Sequence, residues 1–99
     1  MVAWGIFGKD RQPQKVTAGR FEIDRDGETA YLEYSQDGNV LELIHTEVPE
    51  KLRGKGLAAL LAENAFRHAR ENNLKVDVIC PVVQGFLAKH PEYKDLILG

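Results

Sequence analysis

The sequence predicts a small α+β domain in the order β-β-β-α-β-α, an antiparallel meander running into a parallel βαβ crossover. Three observations carry this prediction. Residues 16–48 hold three β-prone runs separated by Asp-Gly turn signals. Residues 57–69 carry an apolar stripe at helical spacing. A fourth β-prone run, KVDVIC, follows that helix. A strand–helix–strand unit closes as a right-handed crossover, so strands three and four are expected as parallel neighbours.

A length of 99 residues suits one domain that buries roughly 60–65% of the surface its unfolded chain exposes. Residues 1–14 are rich in Gly, Pro and Gln and show no sustained period, so they read as an N-terminal arm ahead of a single domain at 15–99. VTAGRFEI at 16–23 is the first strand and DRDG at 24–27 a turn. TAYLEYS at 29–35 alternates with period two, Ala30, Leu32 and Tyr34 on one face and Tyr31 and Glu33 on the other. QDGN at 36–39 leads into VLELIHTEV at 40–48, ended by Pro49. A helix is expected from about Gly54 to Glu71, burying Leu57, Ala58, Leu61, Ala62, Ala65, Phe66 and Ala69. Asn72-Asn73 stops it. The fourth strand is expected over 75–80, and Pro81 opens the last helix.

Composition narrows the function. Hydrophobic content of 43% and charged content of 28% are those of an ordinary globular chain. A net charge of −2 argues against general nucleic-acid binding. No apolar run approaches the ~18 residues of a membrane span, and the N-terminus has no signal-peptide core. With a lone cysteine as well, a cytoplasmic protein without membrane attachment is expected. Three histidines and that cysteine show no metal-ligand spacing, so no metal is expected.

The chemistry concentrates at RGKGLA, residues 53–58. A helix N-terminus offers unpaired N–H groups and roughly half a positive charge, a ready anion site. Glycines there remove Cβ atoms that would keep a phosphate off the backbone, and Arg53 and Lys55 add charge. GKGLAA formally matches the dinucleotide fingerprint, but VPEKLR separates it from the preceding strand, and the P-loop pattern is absent.

RGKGLA fits R-x-x-G-x-A through Arg53, Gly56 and Ala58, and so resembles the acetyl-CoA pyrophosphate motif of the GNAT superfamily of N-acetyltransferases. HTEVPEKLRGKGLAALLAENAF, with the later CPVVQGFLAKHPEY, is similar to the short, minimal branch of that family. The resemblance covers residues 16–97 and implies a truncated form of the three-layer acyl-CoA N-acyltransferase fold. It implies that backbone N–H groups of Arg53, Gly54, Lys55, Gly56, Leu57 and Ala58 hold the pyrophosphate of acetyl-CoA. It also implies that Thr46 and Val48, on the HTEV strand edge, meet the pantetheine arm in the splay between strands three and four. The last helix flanks the cofactor on the other side, with Phe86 along it and Lys89 and His90 near the 3′-phosphoadenosine. Tyr31, Tyr34 and Phe66 read as core; Phe86 reads as core by its own pattern and as a cofactor neighbour through the resemblance.

Acetyl transfer to an amine needs a base for the amine and a donor for the oxyanion. His45, near the end of strand three, is the candidate base. Glu47 is the alternative base, if a β-bulge changes parity there. Cys80, at the end of strand four, is either a nucleophile that takes the acetyl group first or a neighbour of it. Longer family members carry a strand and two helices before the meander and often a tyrosine acid after the fourth motif strand. VVQGFL has no tyrosine, and Tyr93 lies farther on. The expected function is a minimal N-acetyltransferase acting on an unidentified amine, with a non-catalytic acyl-CoA-binding or protein-interaction module as the alternative.

Overall fold

A computed structural model describes residues 16–98; the arm expected at 1–14 lies outside the described residues. Strands β1 (Val16–Arg25), β2 (Glu28–Asp37) and β3 (Val40–Glu47) form the meander. Helix α1 (Leu57–Glu71), strand β4 (Lys75–Val78) and helix α2 (Pro81–Lys89) follow. Short 3₁₀ turns sit at Glu50–Leu52 and Pro91–Leu96. The sheet order is β1-β2-β3-β4, antiparallel except for the parallel β3–β4 pair.

The hairpins are set by their turns. Arg25 pairs with Glu28 across Asp26-Gly27, both at positive φ (53° and 79°), the type I′ conformation that matches strand twist. β1 therefore runs two residues beyond the expected Ile23. Asp37 pairs with Val40 around Gly38 at φ 60°. Within β1, Gly19 lies opposite Tyr34, whose ring covers it: a Cβ there would sit 2.7 Å from the Tyr34 hydroxyl and 2.9 Å from Cζ. Gly19→Ala would push that ring off Phe21, its partner at 4.9 Å, and is expected to cost about 1–3 kcal/mol. Urea melts check this; in a Tyr34→Ala background the same substitution is expected to be nearly neutral.

The alternation Ala30, Leu32, Leu41, Leu43 and Val76 puts one sheet face against Leu61, Ala62, Ala65, Phe66 and Ala69 of α1, all fully buried. Ala58 is only half-buried, because it lies at the start of α1 beside α2. Phe66 clusters with Tyr93 (5.1 Å) and Phe86 of α2 (6.0 Å), which also meet each other (6.2 Å). Both helices thus share one face of the sheet. Among the described residues this makes two layers; a second helical layer, as in the three-layer arrangement, is not among them.

Two further boundaries differ from expectation. α1 starts at Leu57 rather than near Gly54, because Gly54 and Gly56 both hold left-handed backbone (φ 80° and 76°). β4 ends at Val78 rather than Cys80: the amides of Ile79 and Cys80 both turn to the Leu43 carbonyl (2.9 and 3.0 Å), and Cys80 becomes the N-cap of α2. The C-terminal residues cover the outer edge of β4, with Ile97 bridging to Val76 and the Leu98 amide donating to the Val76 carbonyl (2.9 Å).

This tail is clamped by Arg70, which donates two hydrogen bonds to the Asp95 carboxylate (3.1 Å each) and one to the Glu92 carbonyl. The Arg70 guanidinium holds the Asp95 carboxyl below its usual range. A depressed folded-state value means the contribution is complete above the unfolded pKa of about 3.9 and is lost as pH falls through the folded value. The pair is exposed, so the effect is small. Urea midpoints measured down to about pH 2 are expected to fall less steeply in Asp95→Asn than in the wild-type protein.

Candidate active site

The Glu50–Leu52 turn is pinned by Leu52, which is fully buried, and turns the chain from β3 toward α1. Arg53 then folds back, its Nε donating to the Val48 carbonyl (3.0 Å) and its Nη2 lying 3.9 Å from Glu47 Oε2. Lys55 reaches Asp26 (3.5 Å) at the β1–β2 turn. Both cations brace the loop from outside. The first intrahelical bond runs from the Leu60 amide to the Gly56 carbonyl (3.1 Å). The amides of Leu57, Ala58 and Ala59 are therefore the orphan donors of the helix start. Cβ atoms built on Gly54 and Gly56 meet nothing within 4 Å. Packing does not demand these glycines; the left-handed backbone does, and open space lies over both. The Leu57 side chain is buried, so this residue offers only its amide.

Beside this turn the parallel strands part. β3 and β4 pair from Val40↔Lys75 to Leu43↔Val78 and no farther. The register between β2 and β3 slips between Glu33 and Tyr34, leaving Ile44 as a bulge residue between Leu43 (opposite Tyr34) and His45 (opposite Glu33). The bulge reverses parity. Thr46 shares the helix-covered face with Leu32, its partner, and its Oγ1 lies 3.4 Å from Cys80 Sγ. His45 and Glu47 turn together to the other face, His45 Nε2 and Glu47 Oε1 being 3.2 Å apart and both side chains about half exposed. The alternation of 40–48 alone would bring His45 to the face of Leu43; the structure brings Thr46 to Cys80 instead, and pairs the two candidate bases with each other.

Cys80 is 2% exposed at the start of α2. Burial pushes its thiol pKa up, but hydrogen bonding from the Thr46 hydroxyl and the nearby amides of Val83, Val82 and Thr46 outweighs this, and the net value is lowered. Amides at the start of a helix favour the thiolate. Thr46→Val removes the hydroxyl donor and is expected to raise the Cys80 pKa. The pH midpoint of thiolate absorbance reads this directly.

A groove of about 310 Å³ runs between the helices. Ala58 and Ala59 form its α1 side; Val82, Gly85, Phe86 and Lys89 form its α2 side, and His90 closes it. The small residues on facing turns open the groove, and their pairing across two helices is the signal in the sequence that would have found it. Phe86 stacks on His90 (4.2 Å) as well as on Phe66, so its ring is both core and groove wall. Of the sequence-predicted cofactor residues, Ala58, Phe86, Lys89 and His90 line the groove. Thr46 and Val48 lie on the parted strand end, and Arg53 to Leu57 form the turn between. Among the described residues no cluster of potential metal ligands occurs.

A meander, a crossover whose parallel strands part, and a glycine turn with orphan amides at the splay define an acyl-CoA N-acyltransferase fold. Comparison with known proteins agrees. The model of the GCN5-related N-acetyl-transferase family matches residues 20–96. Protein NATD1 of Danio rerio is 37% identical over 84 residues, covering 80% of this chain and 76% of that protein. Protein NATD1 of Mus musculus is 35% identical over 75 residues, 73% of this chain and 68% of that protein. With Protein NATD1 of Bos taurus the match is 38% over 52 residues, about half of each chain (52% and 46%). The chain belongs to the GCN5-related N-acetyltransferase family.

Proposed function

We propose that this protein is a minimal acetyl-CoA-dependent N-acetyltransferase. The observation that supports this most strongly is the adjacency of two features: the orphan amides at the start of α1, under open glycines, and the parted end of β3. In this reading the Leu57–Ala59 amides bind a diphosphate, the free edge of β3 receives the pantetheine amides, and the Ala58–Phe86–Lys89 groove takes the far end of CoA. Bound acetyl-CoA supplies the thioester carbon that the acceptor amine attacks, the C–S bond breaking as the new C–N bond forms.

The chain's own part is proton handling. With Nε2–H of His45 donating to Glu47, the ring is held in the tautomer whose Nδ1 is a proton acceptor. His45 Nδ1 then takes the amine proton, and Glu47 orients the ring and stabilises the imidazolium. This gives both candidate bases a role. Cys80 lies on the opposite side of β3, with Thr46 between. A second reading, favoured by its lowered pKa, is that Cys80 Sγ takes the acetyl group from CoA and passes it to the amine. Intact mass after incubation with acetyl-CoA separates the two: direct transfer leaves Cys80 unmodified.

Release of free CoA in the presence of an amine tests the activity. His45→Ala is expected to lower the rate about a hundredfold or more, as loss of a general base does. Equal rates in the variant and the wild-type protein would remove His45 from the mechanism. A folded wild-type protein that releases no CoA with any amine would favour a binding module on the same fold.

A further inference from the structure

The two edges of the sheet are finished differently. The outer edge of β4 is covered by Ile97 and Leu98. Among the described residues no strand pairs with the outer edge of β1. β1 holds unbroken register with β2 from Val16 to Arg25. It has no bulge, proline or lysine, devices that keep an exposed edge from pairing. Its turn fixes which groups the edge offers. Arg25 and Glu28 close the type I′ turn and form a hydrogen-bonded pair. Alternation then directs the N–H and C=O groups of Ile23, Phe21 and Gly19 to β2, and those of Asp24, Glu22, Arg20 and Ala18 outward. The Asp24 carbonyl accordingly accepts a hydrogen bond from the Arg25 side chain (3.0 Å) rather than from β2.

We infer that β1 pairs with β1 of a second copy, antiparallel about a two-fold axis at Phe21, so that two four-stranded sheets join edge to edge. Charge selects both the occupant and the register. An axis at Arg20 sets the two arginines against each other, and an axis at Glu22 the two glutamates. An axis at Phe21 sets Arg20 opposite Glu22 of the partner subunit on both sides of the axis. Opposite charges facing across a ladder favour association, and like charges oppose it. Arg20 and Glu22 of one strand lie 3.9 Å apart and about half exposed, so against the reversed pair the charges alternate around the axis. In this register the outward backbone groups of Arg20 and Glu22 pair with those of the second copy, and Ala18 with Asp24 extends the ladder at each flank. Phe21, half-buried against Tyr34 (4.9 Å) and His68 of α1 (5.6 Å), meets its own copy in the close, non-hydrogen-bonded position. β2 separates this edge from β3, so the interface leaves the parted end of β3 and the helix groove open. The inference does not depend on the acetyltransferase reading.

Sedimentation velocity of the full chain, from low micromolar to near-millimolar concentration, tests this. The wild-type protein is expected to pass from the mass of one chain to that of two as concentration rises. Arg20→Glu places a glutamate opposite Glu22 of the partner subunit, and Glu22→Arg places an arginine opposite Arg20 of the partner subunit. Each is expected to weaken dimerisation about tenfold or more. Mixing the two variants makes every facing pair opposite in charge again and is expected to restore a dimer near wild-type affinity. Damage to folding is not repaired by mixing, so this rescue separates the interface from a structural effect. Hydrogen exchange on the wild-type protein gives a reading without substitution: the outward amides of Ala18, Arg20, Glu22 and Asp24 are expected to be protected only at concentrations where the dimer forms. A wild-type protein that stays monomeric, a dimer that both variants leave intact, or a mixture no stronger than either variant alone overturns the proposal. So does protection of these amides in a monomer, which would assign the edge to the chain's own residues 1–15.

Discussion

Gly56→Glu is expected to weaken acetyl-CoA binding by about a hundredfold or more, close to 3 kcal/mol. The residue caps α1 in the left-handed region at φ 76°, directly before the orphan amides of Leu57–Ala59. A carboxylate at this position stands over those amides and competes for them, and it repels a diphosphate. Hydrogen bonds to a charged acceptor contribute about 1.5–3 kcal/mol each, so loss of one or two accounts for the effect. Space over Gly56 is open, so the side chain meets no neighbour. The fold therefore bears only the cost of left-handed backbone, about 1–2 kcal/mol. Gly56→Ala carries that cost without the charge. Calorimetric titration of both variants, with circular dichroism to check folding, separates backbone strain from blockage: the alanine variant is expected to keep much more of the affinity than the glutamate variant.

Phe66→Ala is expected to produce the largest loss of stability, about 3–5 kcal/mol. The ring is fully buried and packs against both Tyr93 and Phe86, so it joins the sheet, α1, α2 and the C-terminal turn at one point. Small domains hold only about 5–15 kcal/mol in total, so this one change removes a large part of it. Phe86 is also a wall of the groove, and its support would go with Phe66. At temperatures where the variant remains folded, its acetyl-CoA affinity is expected to fall as well. Urea melts give the first effect and calorimetry the second. Leu61→Ala, fully buried but not one of the clustered rings, is expected to lose stability without the same loss of affinity.

The sheet order and the crossover were legible because each rests on local chemistry. Asp26-Gly27 and the turn at Gly38 specify tight hairpins, and the helical stripe of α1 specifies which face is covered. RGKGLA was legible as a glycine turn at the start of a helix, because two glycines there mark backbone that other residues rarely adopt. The same glycines misled on the start of the helix. Their left-handed backbone, which makes the turn, excludes them from it. The arrangement at the end of β3 was not legible. A single bulge residue, Ile44, decides whether His45 or Thr46 faces Cys80, and a bulge has no signature in an unbroken β-prone run. A bulge between His45 and Glu47 would exchange one for the other at the site. The bulge at Ile44 lies ahead of both, so it carries them over together. The covering of the β4 edge by Ile97 and Leu98 was missed because it depends on Arg70, distant in sequence, finding Asp95.

The central claim is that the parted end of β3 and the turn before α1 form one binding site. Amide chemical-shift mapping during an acetyl-CoA titration tests it most directly. Saturable shifts are expected at residues 44–48 and 53–59, with a weaker set at Gly85–His90 and little change along β1. Saturable shifts confined to other residues, or none in a folded protein at high acetyl-CoA concentration, would contradict it.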